Sequence, residues 1–346
     1  MLLLPFLDRV LKGEDLPAPD AEQAMSVILS GQATSSQIAA FLVGLRMKGE
    51  RPAEVLGFAR AMRAKAERVN AGADGEGLLD TCGTGGDGAG TFNVSTIVAF
   101  VVAGTGVKVA KHGNRSISSQ CGSADVMEGL GIRITLRPEQ IGQAIREVGI
   151  GFLFAPALHP AMKHAHAARS ELKVRTVFNL LGPLTNPAGA TTQLVGAPSE
   201  NAARLLAEVL AALGLRRGFV VHGLDGLDEI TTVGPTLALE VSPEIVKERI
   251  LTPEDFGVPR AKPEDLKGGD RDTNCAIAKA VLTGARGPKR DIVIVNAAAA
   301  LVAAGRARTF REGVSLAAQS IDSLAAWDKV THLARFTQEL AQKDQV

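Results

Sequence analysis

The sequence predicts an α/β protein in which a small all-helical N-terminal domain precedes a larger α/β domain with a mostly parallel central sheet. Apolar residues recur at helical spacing through roughly the first 70 residues, and after them short β-branched runs alternate with helical stretches. The chain has 346 residues, 46% hydrophobic and 22% charged, which is long enough for about two packed domains.

Three or four short helices are predicted in the N-terminal domain, each with an apolar stripe along one face. They are the apolar N-terminal segment, residues 20–31 capped by Asp20 and Gln23, a helix capped by Ser35 or Ser36, and a helix opened by Pro52. The N-terminal segment has no basic region and is interrupted by Pro5 and Asp8, so we do not expect a signal peptide.

The α/β domain follows a glycine-containing linker at 71–75. Its strands are predicted at four runs rich in β-branched residues, 77–80, 106–110, 218–221 and 291–295. A basic stretch around 161–176 returns to a helical pattern, which indicates that the domains are not contiguous in sequence. We therefore expect a helical domain of residues 1–72, with 165–187 packing on it, and an α/β domain of residues 73–164 and 188–346.

The overall charge argues against a polyanionic partner. Lys and Arg number 38 and Asp and Glu number 37, which leaves no general positive field for nucleic acid or an anionic membrane. No apolar stretch reaches the roughly 18 residues of a membrane span. The cysteines Cys82, Cys121 and Cys275 are odd in number and far apart, which favours a reducing, cytoplasmic location.

A glycine-rich string, Asp80-Thr-Cys-Gly-Thr-Gly-Gly-Asp-Gly-Ala-Gly90, follows the first predicted strand. It contains G-x-G-x-x-G, but a dinucleotide site also needs an acidic residue roughly 20 positions further on. No Asp or Glu occurs from Gly88 to Ala124, where the average composition would place roughly four. The sequence therefore favours an anion site here over a nicotinamide site.

Two phosphate sites are predicted in this acid-free stretch. One is the start of an apolar helix at 97–103, with its backbone N–H groups and the side chains of Thr91, Asn93, Ser95 and Thr96. The other is the loop after the next strand, residues 111–123, which carries two cations and several serines. Either loop alone is equally consistent with a tight turn and helix caps. The two together favour a ligand with two phosphate groups.

An acidic turn, Asp225-Gly-Leu-Asp228-Glu229, follows the predicted strand at 218–221. Its oxygen atoms would suit Mg²⁺ bridging phosphates, whereas adjacent acids in turns are more often only solvated. The sequence therefore makes a metal here conditional on a phosphate ligand.

The histidines and cysteines are interpreted as packing or solvated groups. His159, His164 and His166 lack the spacing of a zinc site. Cys82 and Cys121 lie in the candidate loops without the partners of a catalytic cysteine, so small buried filler is the favoured interpretation.

Six strings in a fixed order carry a family resemblance: Gly-Thr-Gly-Gly-Asp at 83–87, Asn-Val-Ser-Thr at 93–96, Lys-His-Gly-Asn-Arg at 111–115, Gly-Ser-Ala-Asp at 122–125, and the longer strings at 175–187 and 222–229. Together they resemble the anthranilate phosphoribosyltransferase family over essentially the whole chain. The resemblance implies the fold type shared by nucleoside phosphorylases and class II phosphoribosyltransferases. The segment 163–168 lacks the proline-containing turn that this family commonly carries.

The resemblance implies transfer of the phosphoribosyl group of 5-phosphoribosyl 1-diphosphate (PRPP) to the amine of anthranilate, with release of diphosphate, in tryptophan biosynthesis. The implied PRPP-binding residues are Gly83, Gly86, Asp87, Thr91, Asn93, Val94, Ser95, Thr96, Lys111, His112, Gly113, Asn114, Arg115, Ser116, Ile117, Ser118, Ser119 and Ser123. The implied Mg²⁺ ligands are Ser95, Asp228 and Glu229, and the implied anthranilate contacts are Gly83, Asn114 and Arg169. No side chain is implied as catalytic, because positioning and electrostatics suffice. Apolar faces on the helical domain suggest a homodimer.

Two other functions stay open at this point. A pyrimidine nucleoside phosphorylase would use inorganic phosphate for glycosyl transfer, but the acidic pair Asp228-Glu229 favours a diphosphate substrate with Mg²⁺. A non-catalytic nucleic-acid-binding relative would carry a strongly basic surface, which a net charge of +1 disfavours.

Overall fold

The computed structural model describes residues 2–72, 77–86, 88–116 and 120–343. Four helices form the N-terminal bundle: α1 (Leu4–Leu11), α2 (Ala18–Leu29), α3 (Ser35–Lys48) and α4 (Pro52–Lys65). The predicted helices are thus confirmed, and Pro52 is the first residue of α4. None of the helices in the described ranges is both long and apolar enough to cross a membrane.

Two of the predicted helix caps are wrong. Thr34, rather than Ser35 or Ser36, caps α3, because its hydroxyl accepts the Gln37 N–H at 3.3 Å while Gln37 Oε1 accepts the Thr34 N–H at 3.1 Å. Helix α2 begins at Ala18, between Pro17 and Pro19, which is earlier than predicted. Asp20 therefore lies in the first turn of the helix instead of capping it, and it accepts a hydrogen bond from Arg9 at 2.6 Å.

Later segments of the chain return to the helical bundle. Helix α9 (Lys163–Leu172) and helix α10 (Phe178–Leu181) follow the first part of the sheet. Ala165, Ala168 and Phe178 are buried in the same apolar cluster as Phe41 of α3. Without the proline-containing turn, α9 runs unbroken to its C-cap. Ala73, Asp74 and Gly75 of the predicted linker lie outside the described residues.

A seven-stranded sheet in the order β3-β2-β1-β4-β5-β6-β7 forms the centre of the second domain. The strands are β1 (Leu78–Gly83), β2 (Lys108–Gly113), β3 (Ile150–Phe154), β4 (Thr192–Gly196), β5 (Arg217–Gly223), β6 (Thr236–Ser242) and β7 (Ile245–Leu251). Strands β1 to β5 pair with one another in parallel. Strand β6 pairs antiparallel with β5, and β7 pairs antiparallel with β6. The chain winds from β1 towards β3 and then returns to the other side of β1, which places a topological switch point between β1 and β4.

The remaining helices cover the sheet and extend to the end of the described chain. They are α5 (Val94–Gly104), α6 (Ser123–Gly129), α7 (Pro138–Glu147), α8 (Ala155–Leu158), α11 (Glu200–Ala212), α12 (Pro253–Phe256), α13 (Arg271–Leu282), α14 (Pro288–Ala303), α15 (Phe310–Asp322) and α16 (Ala325–Lys343). Helices α5 and α14 are buried almost all round and pack on each other. They therefore form the centre of the larger core.

The strand predicted at 291–295 is wrong, because these residues belong to α14. The β-branched run Ile-Val-Ile-Val continues into an alanine-rich stretch, and Pro288 opens the helix. Burial on all sides removed the amphipathic period that would have indicated a helix. The predicted strands at 77–80, 106–110 and 218–221 are confirmed as β1, β2 and β5 with slightly shifted bounds.

Candidate active site

Three loops meet at the carboxyl edge of the parallel strands, beside the switch point. They are the glycine-rich loop after β1 (residues 83–91), the serine-rich loop after β2 (residues 113–123) and the acidic turn after β5 (residues 225–229). Open α/β sheets bind ligands at this edge. The sequence predicted each of these loops, and the fold brings all three together.

The acidic turn lies directly against the glycine-rich loop. Asp228 Oδ2 accepts a hydrogen bond from the Gly85 N–H at 3.0 Å. A Cβ on Gly83 would lie 2.9 Å from the same oxygen, and a Cβ on Gly196 would collide with the Asp228 carbonyl group. The close approach of the carboxylate to the loop therefore depends on glycine at both positions.

The acids of the turn have different partners. Asp225 accepts a hydrogen bond from the Thr231 hydroxyl at 2.6 Å, which closes the turn. Asp228 and Glu229 are half-buried. Asn296 of α14 bonds to both the N–H and the carbonyl of Ile230 at 2.9 Å, which fixes the residue that follows Glu229. Asp228 bonds to the glycine-rich loop, and Glu229 follows it directly in the turn.

The start of α5 lies between the two candidate phosphate loops. Asn93 is the N-cap residue, but its side chain does not cap the helix and instead donates to the Cys121 carbonyl at 3.2 Å. The Thr81 hydroxyl donates to the Ser95 carbonyl at 2.9 Å. Thr96 Oγ1 is buried and has no hydrogen-bond partner among the described residues. The Val94 and Thr96 N–H groups donate to the backbone carbonyls of Phe92 and Asn93, so among the described residues the Ser95 N–H is the amide of the first turn that is left for an anion.

The serine-rich loop is closed at its base by Ser123. Its hydroxyl accepts from the Asn114 N–H and donates to the Asn114 carbonyl, both at 3.2 Å. The Arg115 guanidinium is half-exposed and forms ion pairs with Asp125 at 2.6 Å and Glu128 at 2.8 Å. Ile117, Ser118 and Ser119, and Asp87 of the glycine-rich loop, lie outside the described residues.

Lys111 is buried beneath this edge. Its ammonium group donates to the carbonyl oxygens of Thr81 and His112. Asp80 is fully buried beside it and accepts from the His112 N–H at 3.1 Å and from Asn186 Nδ2 at 2.8 Å. These polar groups hold β1 and β2 together at the point where the two loops leave the sheet.

The thiols and the buried imidazoles have pKa values far from those of active nucleophiles or bases. Burial raises the pKa of the Cys82 thiol to about 12 and that of Cys121 to about 11, so both are protonated at neutral pH. Burial lowers the pKa of His112 to about 4 and that of His159 to about 3. The two imidazole rings lie 5.3 Å apart and are neutral at pH 7.

This burial predicts that acid destabilises the protein through these histidines. Unfolded histidine binds a proton near pH 6.5, whereas folded His112 and His159 stay neutral down to about pH 4. The free energy of unfolding therefore decreases as the pH is lowered from about 6.5 to about 4. We expect His159→Phe to weaken this dependence by up to about 1.4 kcal/mol per pH unit, measured by urea unfolding from pH 6.5 to 4.5. The exposed-histidine variant His332→Phe is the control, and equal slopes in wild type and His159→Phe would contradict the prediction.

A cleft of about 970 Å³ opens between the glycine-rich loop and the α9–α10 segment. Of the predicted site residues, Gly86, Thr91 and Arg169 line it. Arg169 stacks on the Phe178 ring with 5.0 Å between Cζ and the ring centroid, and burial lowers the pKa of its guanidinium. Within the part of the chain that the structure describes, no carboxylate pairs with Arg169. Among the described residues, its charge is therefore available to an anionic ligand in the cleft.

Sequence reasoning missed Arg175 and Asn274, which also line the cleft. Arg175 donates to the Gly85 carbonyl at 2.9 Å, and its guanidinium occupies the space that a Cβ on Gly86 would need. Arg46 of the helical bundle donates to the Arg175 carbonyl. Arg175 opens the predicted string 175–187, which was the available signal for it.

A helical bundle joined to a parallel sheet with paired phosphate loops and an acidic turn defines a glycosyl transferase of the two-domain type. The model of the glycosyl transferase family α/β domain matches residues 75–327, and that of its helical bundle domain matches residues 4–66. The chain is 65% identical to the anthranilate phosphoribosyltransferase of Solibacter usitatus, over 97% of this chain and 99% of the relative. It is 53% identical to that of Geotalea daltonii, over 95% and 97%. The chain belongs to the anthranilate phosphoribosyltransferase family.

Solved structures agree with this assignment. The crystal structure of the enzyme from Thermus thermophilus superposes with a TM-score of 0.91 at 43% identity, covering 98% of this chain and 100% of that chain. The Saccharomyces cerevisiae enzyme in complex with PRPP and Mg superposes with a TM-score of 0.88 at 27% identity, covering 97% and 98%. The predicted fold class and the predicted family are both confirmed.

Proposed function

We propose that the cleft beside the glycine-rich loop is where this chain transfers the phosphoribosyl group of PRPP to the amine of anthranilate. The reaction releases diphosphate, forms N-(5-phosphoribosyl)anthranilate and is a step of tryptophan biosynthesis. The observation that carries the proposal is the Asp228–Gly85 contact, which joins the acidic turn to the phosphate loop at the edge of the cleft that Arg169 lines. The family assignment does not favour the nucleoside phosphorylase and nucleic-acid-binding alternatives.

PRPP lies along the glycine-rich loop, the start of α5 and the serine-rich loop in this proposal. The positive end of the α5 dipole, the Ser95 N–H and loop N–H groups suit its phosphates. The proposed contacts are those predicted PRPP-binding residues that the structure describes. The buried Lys111 ammonium acts indirectly, because it donates hydrogen bonds to the carbonyls of Thr81 and His112 beneath the loops. The Arg115 guanidinium pairs with Asp125 and Glu128, which balance its charge, so its contribution is to order the serine-rich loop.

Mg²⁺ is the cofactor, and Asp228, Glu229 and Ser95 would hold it. Two half-buried carboxylates and a hydroxyl offer the oxygen ligands that Mg²⁺ prefers. The yeast relative crystallised with PRPP and Mg supports Mg²⁺ as the cofactor. Bound Mg²⁺ supplies charge neutralisation for the departing diphosphate.

Anthranilate enters from the α9 side of the cleft. The Arg169 guanidinium, partly desolvated and without a carboxylate partner in the described chain, pairs with the acceptor carboxylate. Gly83 and Asn114, which lie at the ends of β1 and β2, complete the acceptor contacts. A yeast relative was crystallised with 4-fluoroanthranilate, which supports an acceptor site in this fold.

The chemistry requires positioning more than proton transfer. The aromatic amine of anthranilate is unprotonated at neutral pH, so its nitrogen attacks C1 of the ribose without a general base. The N–C1 bond forms as the C1–O bond to diphosphate breaks, and the surplus amine proton leaves to water. The chain's own residues align the amine with C1 and surround the leaving group with N–H donors. Their pKa values of about 4 and about 3 make the His112 and His159 imidazoles weak bases, and the proposed reaction assigns no proton transfer to them.

Loss of anthranilate fluorescence tests the proposal. We expect the signal to fall when the protein is mixed with PRPP and Mg²⁺, and to stay constant when the metal is omitted. Constant fluorescence with all components present would reject anthranilate as the acceptor. Calorimetric titration of PRPP with Mg²⁺ would then show whether the donor site is correct on its own.

We propose further that the protein is a homodimer of cytoplasmic chains. Leu11 of α1 is 65% exposed and Met47 of α3 is 84% exposed, which leaves apolar side chains uncovered on the helical bundle. The three cysteines all lie within the described ranges and form no disulfide there, as expected in a reducing compartment. We expect a dimeric mass by light scattering and a monomeric mass for the double variant Leu11→Glu and Met47→Glu. A monomeric wild type would contradict the proposal.

A further inference from the structure

A row of hydrogen bonds joins the start of α5 and the serine-rich loop to residues 269–274, which come much later in the sequence. The Gly269 N–H donates to Asn274 Oδ1 at 2.9 Å. Asn274 Nδ2 donates to Asn93 Oδ1 at 3.0 Å. Asn93 Nδ2 in turn donates to the Cys121 carbonyl at 3.2 Å. Two side-chain carboxamides therefore connect the start of α13, the start of α5 and the serine-rich loop.

The direction of this row of hydrogen bonds, from donor to acceptor, is fixed by the groups at its two ends. A backbone N–H at Gly269 can only donate, and a backbone carbonyl at Cys121 can only accept. Each carboxamide must therefore present its oxygen towards Gly269 and its nitrogen towards Cys121. Only a side chain with one acceptor and one donor satisfies the position of Asn274.

The same segment is also attached to the glycine-rich loop. The Gly268 N–H donates to the Gly90 carbonyl at 2.9 Å, and Lys267 forms an isolated antiparallel bridge with Thr91. A Cβ on Gly268 would lie 2.6 Å from the Phe92 backbone nitrogen and 2.7 Å from Asn274 Oδ1. Asn274 is only 4% exposed. The segment 267–274 is therefore packed against the loop end from which α5 starts.

We propose that Asn274 is a positioning residue for PRPP, which holds the glycine-rich and serine-rich loops at the separation that two phosphate groups require. Asn274 acts through Asn93, whose carboxamide it orients. A capping Asn normally bonds to the amides of its own helix. Here the Asn93 side chain is held by Asn274 and Cys121 instead, so among the described residues the Ser95 N–H in the first turn of α5 stays open for the donor. This inference rests on the proposed PRPP site.

The variant Asn274→Asp tests the proposal with almost no change in shape. An ionised carboxylate still accepts from Gly269, but it faces Asn93 Oδ1 with a second acceptor. We expect the KM and the calorimetric Kd for PRPP with Mg²⁺ to rise about tenfold or more, with a smaller change in kcat and no change in the KM for anthranilate.

Protonation should rescue this variant. A neutral carboxyl group offers one acceptor and one donor, which restores the polarity of the row, and opposing oxygens raise the pKa of a buried carboxyl group. We therefore expect the PRPP Kd of Asn274→Asp, divided by that of wild type at the same pH, to shrink as the pH falls from about 8 to about 5.5. A purely structural defect would not recover on acidification.

Ser320→Ala is the matched control. Ser320 is buried and its hydroxyl donates to the Val101 carbonyl at 2.8 Å, near the other end of α5. We expect a lower unfolding temperature in this control and an unchanged KM for PRPP. If Asn274→Asp does not fold, Asn274→Ser, which is too short to reach both partners, replaces it.

The outcomes separate this inference from the proposed function. A folded Asn274 variant with wild-type PRPP affinity would overturn the positioning role, whether or not the wild type turns over anthranilate. Wild-type protein that binds PRPP without turnover would reject the acceptor, and the Kd comparison would still decide the role of Asn274. Wild-type protein that does not bind PRPP would reject the donor site and this inference with it.

Discussion

Replacing Asp228 and Glu229 together by Asn and Gln is expected to lower kcat by about 1000-fold or more. The loss of one preorganised group that stabilises developing charge typically costs a hundredfold to a thousandfold, and this change removes both of the carboxylates proposed as Mg²⁺ ligands. The amide replacements keep the size of the side chains. The rate of fluorescence loss at saturating PRPP and anthranilate, titrated with Mg²⁺, measures the effect.

Asp225→Asn provides the control for this change in the same turn. Its carboxylate bonds to Thr231 and Leu227 within the turn itself, so we expect a small loss of stability and near wild-type turnover. Equal losses of kcat in Asp225→Asn and the double variant would mean that the turn matters only for folding. Retained Mg²⁺-dependent activity in the double variant would move the metal to other ligands.

The loops that carry the chemistry were predictable because their signals are local in sequence. Glycine spacing, the absence of acids between Gly88 and Ala124, and hydroxyl groups ahead of an apolar helix each indicate a phosphate site within a short window. The strands before these loops were also predicted from short stretches of sequence, the runs rich in β-branched residues. Parallel strands bring their carboxyl ends to one edge, so the convergence of the loops followed from the fold class.

The residues that connect the loops were not predictable in the same way. Asn274 and Asn296 reach Asn93 and Ile230 across long sequence separations, and a lone Asn in a helical stretch gives no local sign of its partner. Residues 291–295 were predicted as a strand because complete burial hides the period of a helix. Arg175 acts through the Gly85 carbonyl, which depends on how the bundle segment returns to the sheet. Tertiary contacts decided all of these positions.

The histidines illustrate how burial settles an interpretation that sequence left general. His159 was interpreted as a packing or solvated group from its spacing, whereas the family resemblance implied His112 as a PRPP contact. The structure buries both, and desolvation lowers their pKa values so far that they carry no charge at neutral pH. Their proximity to the phosphate loops therefore adds neither positive charge for a phosphate nor a base for the amine.

Arg169→Ala is expected to raise the KM for anthranilate about 30-fold to 150-fold while changing the KM for PRPP by less than about threefold. A charge-assisted bond to a carboxylate contributes about 2–3 kcal/mol, and its loss converts to that range. Arg169 is stacked on Phe178 in the wall of the cleft, and no carboxylate of the described chain competes for it. Steady-state kinetics with each substrate varied in turn give both constants.

Two further variants show whether the geometry or only the charge of Arg169 matters. Arg169→Lys keeps the positive charge but loses the planar fork that matches a carboxylate, so we expect an intermediate KM for anthranilate. Lys173→Ala removes an exposed cation from the same cleft and should leave that KM within about twofold of wild type, because solvent screens its charge. Equal effects of Arg169→Ala on the two substrates would mean that Arg169 supports the cleft as a whole. An acceptor-specific effect that Lys partly restores would instead identify it as the group that recognises the carboxylate, and hence as the residue that selects an anionic aromatic amine.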